Sequence, residues 1–67
     1  MSDKPYLTLQ QVLKKYNLVH TGGHAKFIIQ NGEVKVDGVV ETRRGRKLYG
    51  GETISYLNQE VVVKDVN

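Results

Sequence analysis

The 67-residue chain reads as a small α+β domain, two short helices packed on a small bent antiparallel sheet. Three observations predict this. Apolar residues recur at helical spacing over residues 9–16 and again over 25–29. After Gly32 the period changes to two, with Val34 and Val36 alternating with Glu33 and Lys35. Asp37-Gly38 then supplies a strong hairpin signal. A chain this short buries only about 60% of the surface its unfolded form exposes, so it holds one modest core and has little room for a deep substrate cavity.

Residues 1–6 read as a flexible polar arm that includes Pro5, with Tyr6 given no role. Thr8 is the expected N-cap of the first helix, and Gln11 stands at the capping-box spacing, where each side chain satisfies an orphan N–H of the first turn. Leu9, Val12, Leu13 and Tyr16 share one face, leaving Gln10, Gln11, Lys14 and Lys15 mostly on the other. The helix is expected to stop near Asn17, a residue type tolerated in the left-handed conformation, so that Leu18 and Val19 fold back onto the core.

Thr21 is expected to open the second helix and Asn31-Gly32 to close it, with glycine supplying the positive φ of the C-cap. Ala25, Ile28 and Ile29 form its buried stripe. Phe27 lies almost opposite that stripe, and packing under the N-terminal arm is its expected fate rather than exposure. The hairpin admits two registers. A strict two-residue loop pairs Val34 with Glu41 on the core face, whereas a three-residue loop with a bulge pairs Val36 with Val40 and Val34 with Thr42. The bulged register is the expectation.

Arg43 to Lys47 then form a basic loop, Leu48 and Tyr49 begin another strand, Gly50-Gly51 turns the chain, and residues 53–57 return with Ile54 and Tyr56 on one face. Residues 61–63 can add an edge strand. The periodicities assign Tyr16, Tyr49 and Tyr56 to the core rather than to stacking surfaces.

Charge narrows the function classes. There are 10 Lys+Arg against 7 Asp+Glu, a formal net charge of +3, and no cysteine. Without cysteine there is neither a disulfide framework nor a thiolate zinc site, which fits a reducing, cytoplasmic home. The N-terminus lacks the basic start and apolar run of a signal peptide, and no segment approaches the roughly 20 apolar residues that span a bilayer. A membrane partner is not expected. Positive charge suits an anionic partner, and here it is unevenly placed.

Two clusters carry that charge chemistry. At Thr21-Gly22-Gly23 the glycines remove Cβ bulk, so an anion can approach the free N–H groups and the positive end of the helix dipole. A Thr-capped helix whose glycines relieve a tight crossing explains them equally well. The spacing is not that of the G-x-x-x-x-G-K-[ST] phosphate loop. Lys26 follows one turn on, and His24 suits a capping or phosphate role. In the second cluster Arg43, Arg44, Arg46 and Lys47 surround Gly45, a density of cations that mutual repulsion disfavours unless an anion neutralises it. The competing reading is a solvated turn paired with Glu41 and Glu52. Lys35 adds charge on the outward side of the first strand.

His20 and His24 are four apart but have no third ligand, so neither a metal nor another cofactor is expected. No nucleophile-base-orienter set exists, which points away from an enzyme and from a small-molecule substrate.

Two capped helices, an Ala25-Lys26 pair in the second, then I-x-x-G-x-V-x-V-D-G-x-V and later G-G-E-T-I together resemble the S-four-type RNA-binding domain, named after a small-subunit ribosomal protein. Leu9, Leu13, Ala25, Lys26, Ile29, Gly32, Val34, Val36, Asp37, Gly38, Val40, Gly51 and Ile54 carry the resemblance, which spans residues 7–57 and leaves 58–67 as a C-terminal extension. The resemblance implies the αL-motif fold, a helical pair on a bent sheet, binding structured RNA across the second helix and the neighbouring loops. Two departures remove charge. Gly22 stands where the family often has Arg, and Thr8-Leu9-Gln10 replaces a common Arg-Leu-Asp; the run TRRGRK supplies cations in their place.

The chain is thus expected to be a small stand-alone, bacterial-type member. It would be a cytoplasmic, monomeric RNA-binding module for ribosomal RNA or the ribosome, acting in assembly or translation. The residues expected to touch RNA are Thr21, Gly22, Gly23, His24, Lys26, Lys35, Arg43, Arg44, Arg46 and Lys47. Such a module reads backbone and shape, because double-stranded RNA hides its base edges in a deep groove. A duplex-DNA binder would use the same cations, but the second helix offers no Arg or Asn row for the major groove. A protein-interaction module would instead use residues 61–63 or Phe27.

Overall fold

The computed structural model describes residues 4–64 and Val66. Met1, Ser2 and Asp3 of the expected arm, and Asp65 and Asn67 of the expected C-terminal extension, lie outside the described residues.

Helix α1 (Leu9–Lys15) begins at the capping box read from the sequence. The Thr8 hydroxyl accepts the Gln11 N–H at 3.3 Å, and the Gln11 side chain accepts the Thr8 N–H at 2.8 Å. Its end is a Schellman closure. Asn17 takes φ 61°, its N–H donates to the Lys14 carbonyl, and the Leu18 N–H donates to the Leu13 carbonyl at 2.9 Å. That turn brings Val19 into the core and packs Leu18 against it. Helix α2 (Gly22–Gln30) starts at Thr21, whose hydroxyl accepts the His24 N–H at 3.1 Å. It closes in the same manner at Gly32, φ 78°, with the Glu33 N–H donating to the Ile28 carbonyl.

The strands fall into two sheets. Strand β1 (Leu7–Thr8) pairs with β4 (Lys47–Leu48) in a short antiparallel ribbon. Strands β2 (Val34–Val36), β3 (Val39–Val40), β5 (Thr53–Tyr56) and β6 (Gln59–Val62) form an antiparallel sheet in the order β3-β2-β5-β6. The Gly50-Gly51 turn therefore does not fold β5 back onto β4. It moves the chain from the ribbon to the main sheet, where β5 pairs with β2, while β6 forms an edge and covers most of the 61–63 segment expected there.

Leu9, Leu13, Ile28, Ile29, Val34, Leu48 and Ile54 are fully buried between the helices, the ribbon and the sheet. The Tyr16 hydroxyl is clamped by the Lys64 backbone, accepting its N–H at 2.8 Å and donating to its carbonyl at 2.9 Å. The C-terminal segment is thereby tied to α1.

Three sequence expectations are corrected. The hairpin is not bulged: Val36 pairs with Val39 and Lys35 with Val40 across a two-residue loop. Asp37 (φ 52°) and Gly38 (φ 84°) both take positive φ, the type I′ arrangement whose twist matches that of the strands. Phe27 is 64% exposed, because the described part of the arm runs into the ribbon beside β4 and does not cover α2. Tyr49 is also exposed, since strand alternation turns it outward next to the inward-facing Leu48.

Candidate nucleic-acid interface

The hairpin register determines what the basic loop is attached to. With Val36 opposite Val39, Glu41 falls opposite Val34, donating its N–H to the Val34 carbonyl at 3.0 Å, and the residue is only 7% exposed. A carboxylate so placed needs donors. Arg43 gives Nε at 2.9 Å, Nη2 at 3.0 Å and its backbone N–H at 3.1 Å, and Arg46 gives Nη1 at 2.9 Å. Arg43 grips both carboxylate oxygens in fork geometry. Its hydrogen bonds hold the Glu41 carboxyl down to about 2 in spite of burial, with Arg46 assisting, and Glu41 in turn raises Arg43.

The loop is also fixed to α1 through its backbone. The Leu9 N–H donates to the Arg46 carbonyl at 2.9 Å and the Gln10 N–H to the Arg44 carbonyl at 3.2 Å, which satisfies two orphan donors of the first turn. Arg44 stays exposed with no side-chain partner among the described residues. A shallow groove lies between Thr8 and Gln10 on one side, Gln30 of α2, and residues 42–45.

Helix α2 runs along this groove. Gly22, Lys26 and Gln30 recur every four residues, one above the other on a helix face. Gln30 lines the groove, and Gly22 comes so close to Gln10 that a Cβ there would sit 2.8 Å from Gln10 Nε2. Lys26 stands exposed between those two points. Through Gln10 and Gln30 the structure thus brings the Gly22, Lys26 and Gln30 face of α2, which starts at Thr21, beside Arg43 and Arg44, with Lys47 following at the start of β4. The crossing explanation of the glycines applies to Gly22 alone, since a Cβ on Gly23 would meet nothing within 4 Å.

Two expected residues do not join this surface. Lys35 projects from the face of the main sheet that turns away from the helices, where it lines a separate depression with Glu33, Ser55 and Glu60. His24 lies on the far flank of α2 from Lys26, although its N–H takes part in the Thr21 cap. Among the described residues no group of three potential ligands could hold a metal.

Glu52 acts differently from the cation partner expected of it. Its carboxylate accepts the N–H groups of Tyr49 at 2.9 Å and Gly50 at 2.8 Å, capping the turn. Burial opposes ionisation there, but those backbone bonds and the charge of Arg46 lower its carboxyl overall.

The sequence reading paired the loop with Glu41, but as a solvated turn; it missed that Glu41 is buried and anchors the loop. The signal was present: a two-residue Asp-Gly turn places Glu41 on the inner face, and three arginines follow within five residues, of which Arg43 and Arg46 satisfy it. It also missed an outward ribbon face made by Tyr6, Thr8, Lys47 and Tyr49. Tyr6 and Tyr49 meet edge to face at 6.1 Å, and the Lys47 ammonium lies 5.0 Å from the Tyr6 ring centre.

Two helices on a split, bent sheet, with cations fixed along a groove rather than around a cavity, define a compact α+β binding module. The chain belongs to the S4 domain family, whose profile matches residues 1–64. YbcJ of Escherichia coli (strain K12), provisionally named an RNA-binding protein, is 41% identical over 59 residues, covering 88% of this chain and 84% of its own. RlbA of Bacillus subtilis (strain 168), provisionally named a ribosome maturation protein, is 40% identical over 52 residues, covering 78% of this chain and 73% of its own. The solution structure of Escherichia coli YbcJ, described as revealing an alfaL motif involved in RNA binding, is similar with a TM-score of 0.66 and 37% identity, covering 92% of this chain and 78% of that one. S4 is an RNA-binding domain and not a known enzyme family. Among the described residues no helix is long and apolar enough to cross a membrane.

Proposed function

We propose that this protein binds structured RNA, ribosomal RNA foremost, through the phosphate backbone and the shape of the helix, as a cytoplasmic monomer acting in ribosome assembly or translation. The observation that carries this reading is the Glu41 anchor. It holds the basic loop in one conformation before any ligand arrives, so less ordering entropy is lost when phosphates dock. Arg44 and Lys47 then meet the backbone, Lys26 extends the contact along α2, and Thr21, Gly22 and Gly23 leave the start of that helix open to a phosphate. Arg43 and Arg46 contribute charge from their anchored positions. His24 and Lys35 lie off this surface. The name of the RlbA relative supports the ribosomal direction.

A rigid set of cations on a groove suits A-form RNA, whose backbone and 2′-hydroxyls are accessible while its major-groove base edges are not. The test compares retention of the purified protein on a structured ribosomal RNA fragment and on duplex DNA of matching sequence, at low and at physiological salt. RNA should be bound more tightly, with affinity falling steeply as salt rises. Equal retention on DNA, or binding indifferent to salt, contradicts the reading. Crosslinking in cells followed by sequencing of the bound RNA identifies the transcript, and recovery without ribosomal RNA removes the ribosomal part.

A further inference from the structure

We propose that the β1–β4 ribbon carries a stacking site for an unpaired RNA base, made by Tyr6 and Tyr49 and flanked by Lys47; the proposal rests on the RNA-binding reading above and extends it beyond the groove. The geometry follows from the ribbon register. Leu7 pairs with Leu48 and Thr8 with Lys47, so continuing the ladder by one residue sets Tyr6 opposite Tyr49. Leu48 is fully buried, and alternation therefore turns Tyr6, Thr8, Lys47 and Tyr49 outward together.

Two features show that this face is not simply an edge of the core. Tyr6 is 43% exposed and Tyr49 47%, whereas Tyr56 is buried and the Tyr16 hydroxyl is engaged by the Lys64 backbone. The two outward rings instead contact each other edge to face at 6.1 Å, an arrangement that leaves ring surface open to solvent. Lys47 Nζ sits 5.0 Å from the Tyr6 ring centre. The ammonium lies over one face of Tyr6, so Tyr49 offers the open ring, and a base on Tyr49 with its phosphate on Lys47 matches a nucleotide.

The surface is continuous with the groove. Thr8 shares the outward ribbon face with the tyrosines and also lines the groove with Arg43 and Arg44. An RNA lying along the basic loop that passes from paired to unpaired would bring its first free base toward the ribbon. The chemistry names the occupant: an unstacked base joined to a helix whose phosphates engage Arg44 and Lys47.

The test uses the full chain, a blunt RNA duplex, and the same duplex carrying a single-stranded oligoadenylate tail. The parent should bind the tailed duplex about tenfold more tightly, within the range for one base stacked on an aromatic side chain. Tyr49→Leu, which keeps an apolar cover on the ribbon but removes the ring, should abolish that preference while leaving blunt-duplex affinity and melting temperature close to the parent. Tyr49→Phe should retain it. A parent with no preference for the tail overturns the stacking site, as does a Tyr49→Leu change that lowers affinity for both duplexes equally. A parent that binds neither RNA overturns the RNA-binding reading itself, and the site falls with it.

Discussion

Arg46 reaches back five residues to set its Nη1 2.9 Å from Glu41 Oε1, closing the basic loop on the same carboxylate that Arg43 grips through its own guanidinium. The loop is held by its own charges, and its cations divide into two that anchor and two that face outward.

That division makes stability depend on acid. The Glu41 carboxyl titrates near 2 in the folded protein against an ordinary 4.5, so its contribution is fully present above about 4.5 and is lost as pH falls toward 2. Thermal unfolding of the parent and of Glu41→Gln, followed from neutral pH downward, should show the variant less stable at neutrality and the gap closing through that window. A gap that stays constant with pH would mean the carboxylate charge is not what holds the loop.

The four cations should differ in their effect on the fold. Arg44→Gln, at an exposed side chain with no partner among the described residues, should change stability by no more than about 0.5 kcal/mol. Replacing Arg43 and Arg46 together leaves Glu41 without side-chain donors and should clearly lower the melting temperature. Equal melting temperatures for the two variants would remove the anchor.

At the start of α2, Gly23→Ala adds a methyl group that meets nothing within 4 Å. Stability should rise by a few tenths to about 1 kcal/mol, because Ala is favoured over Gly in a helix. RNA affinity should nevertheless fall if a phosphate seats there, with Thr21 still capping and Lys26 still charged. Melting and binding measured on the one variant separate these effects, and a stabilised protein that binds RNA as well as the parent retires the phosphate seat.

Leu57 occupies a left-handed position, φ 57°, in the two-residue link between β5 and β6, with its side chain 69% exposed. An ordinary residue in that conformation costs about 1–2 kcal/mol, and little packing is lost by shortening this one. Leu57→Gly should therefore stabilise the domain by about 1 kcal/mol in denaturant melts. A loss of stability would mean that the Leu57 side chain makes contacts worth more than the backbone conformation costs.

Much of the fold was legible because it rests on short-range rules. Thr8 with Gln11, Asn17, Thr21 and Gly32 are local capping signals, and each acts where its spacing placed it. Phe27 was misjudged because its cover depends on partners distant in sequence, whereas the hairpin register was misjudged on local residues, since it puts Glu41 on the inner face and is favourable only once Arg43 and Arg46 satisfy that carboxylate. Nothing in the local pattern says that the arm will pair with β4 and leave α2 uncovered. Tyr49 followed an apolar periodicity but belongs to a ribbon formed with residues forty positions earlier. Of the candidate site, the loop and the glycine start were visible as composition. Their convergence on one groove depends on the Gln10 and Gln30 side chains, which carry no charge to draw attention in the sequence.

The most direct measurement of the central claim is RNA affinity against salt concentration for the parent and for the double variant Arg44→Gln, Lys47→Gln, which spares the Glu41 anchor. Each phosphate contact removed should reduce the slope of log K against log salt by about 0.7–0.9, so the double variant should bind more weakly with a slope shallower by roughly 1.4–1.8, at an unchanged melting temperature. An unchanged affinity and slope in a folded double variant would contradict the assignment of this loop as the phosphate-binding surface.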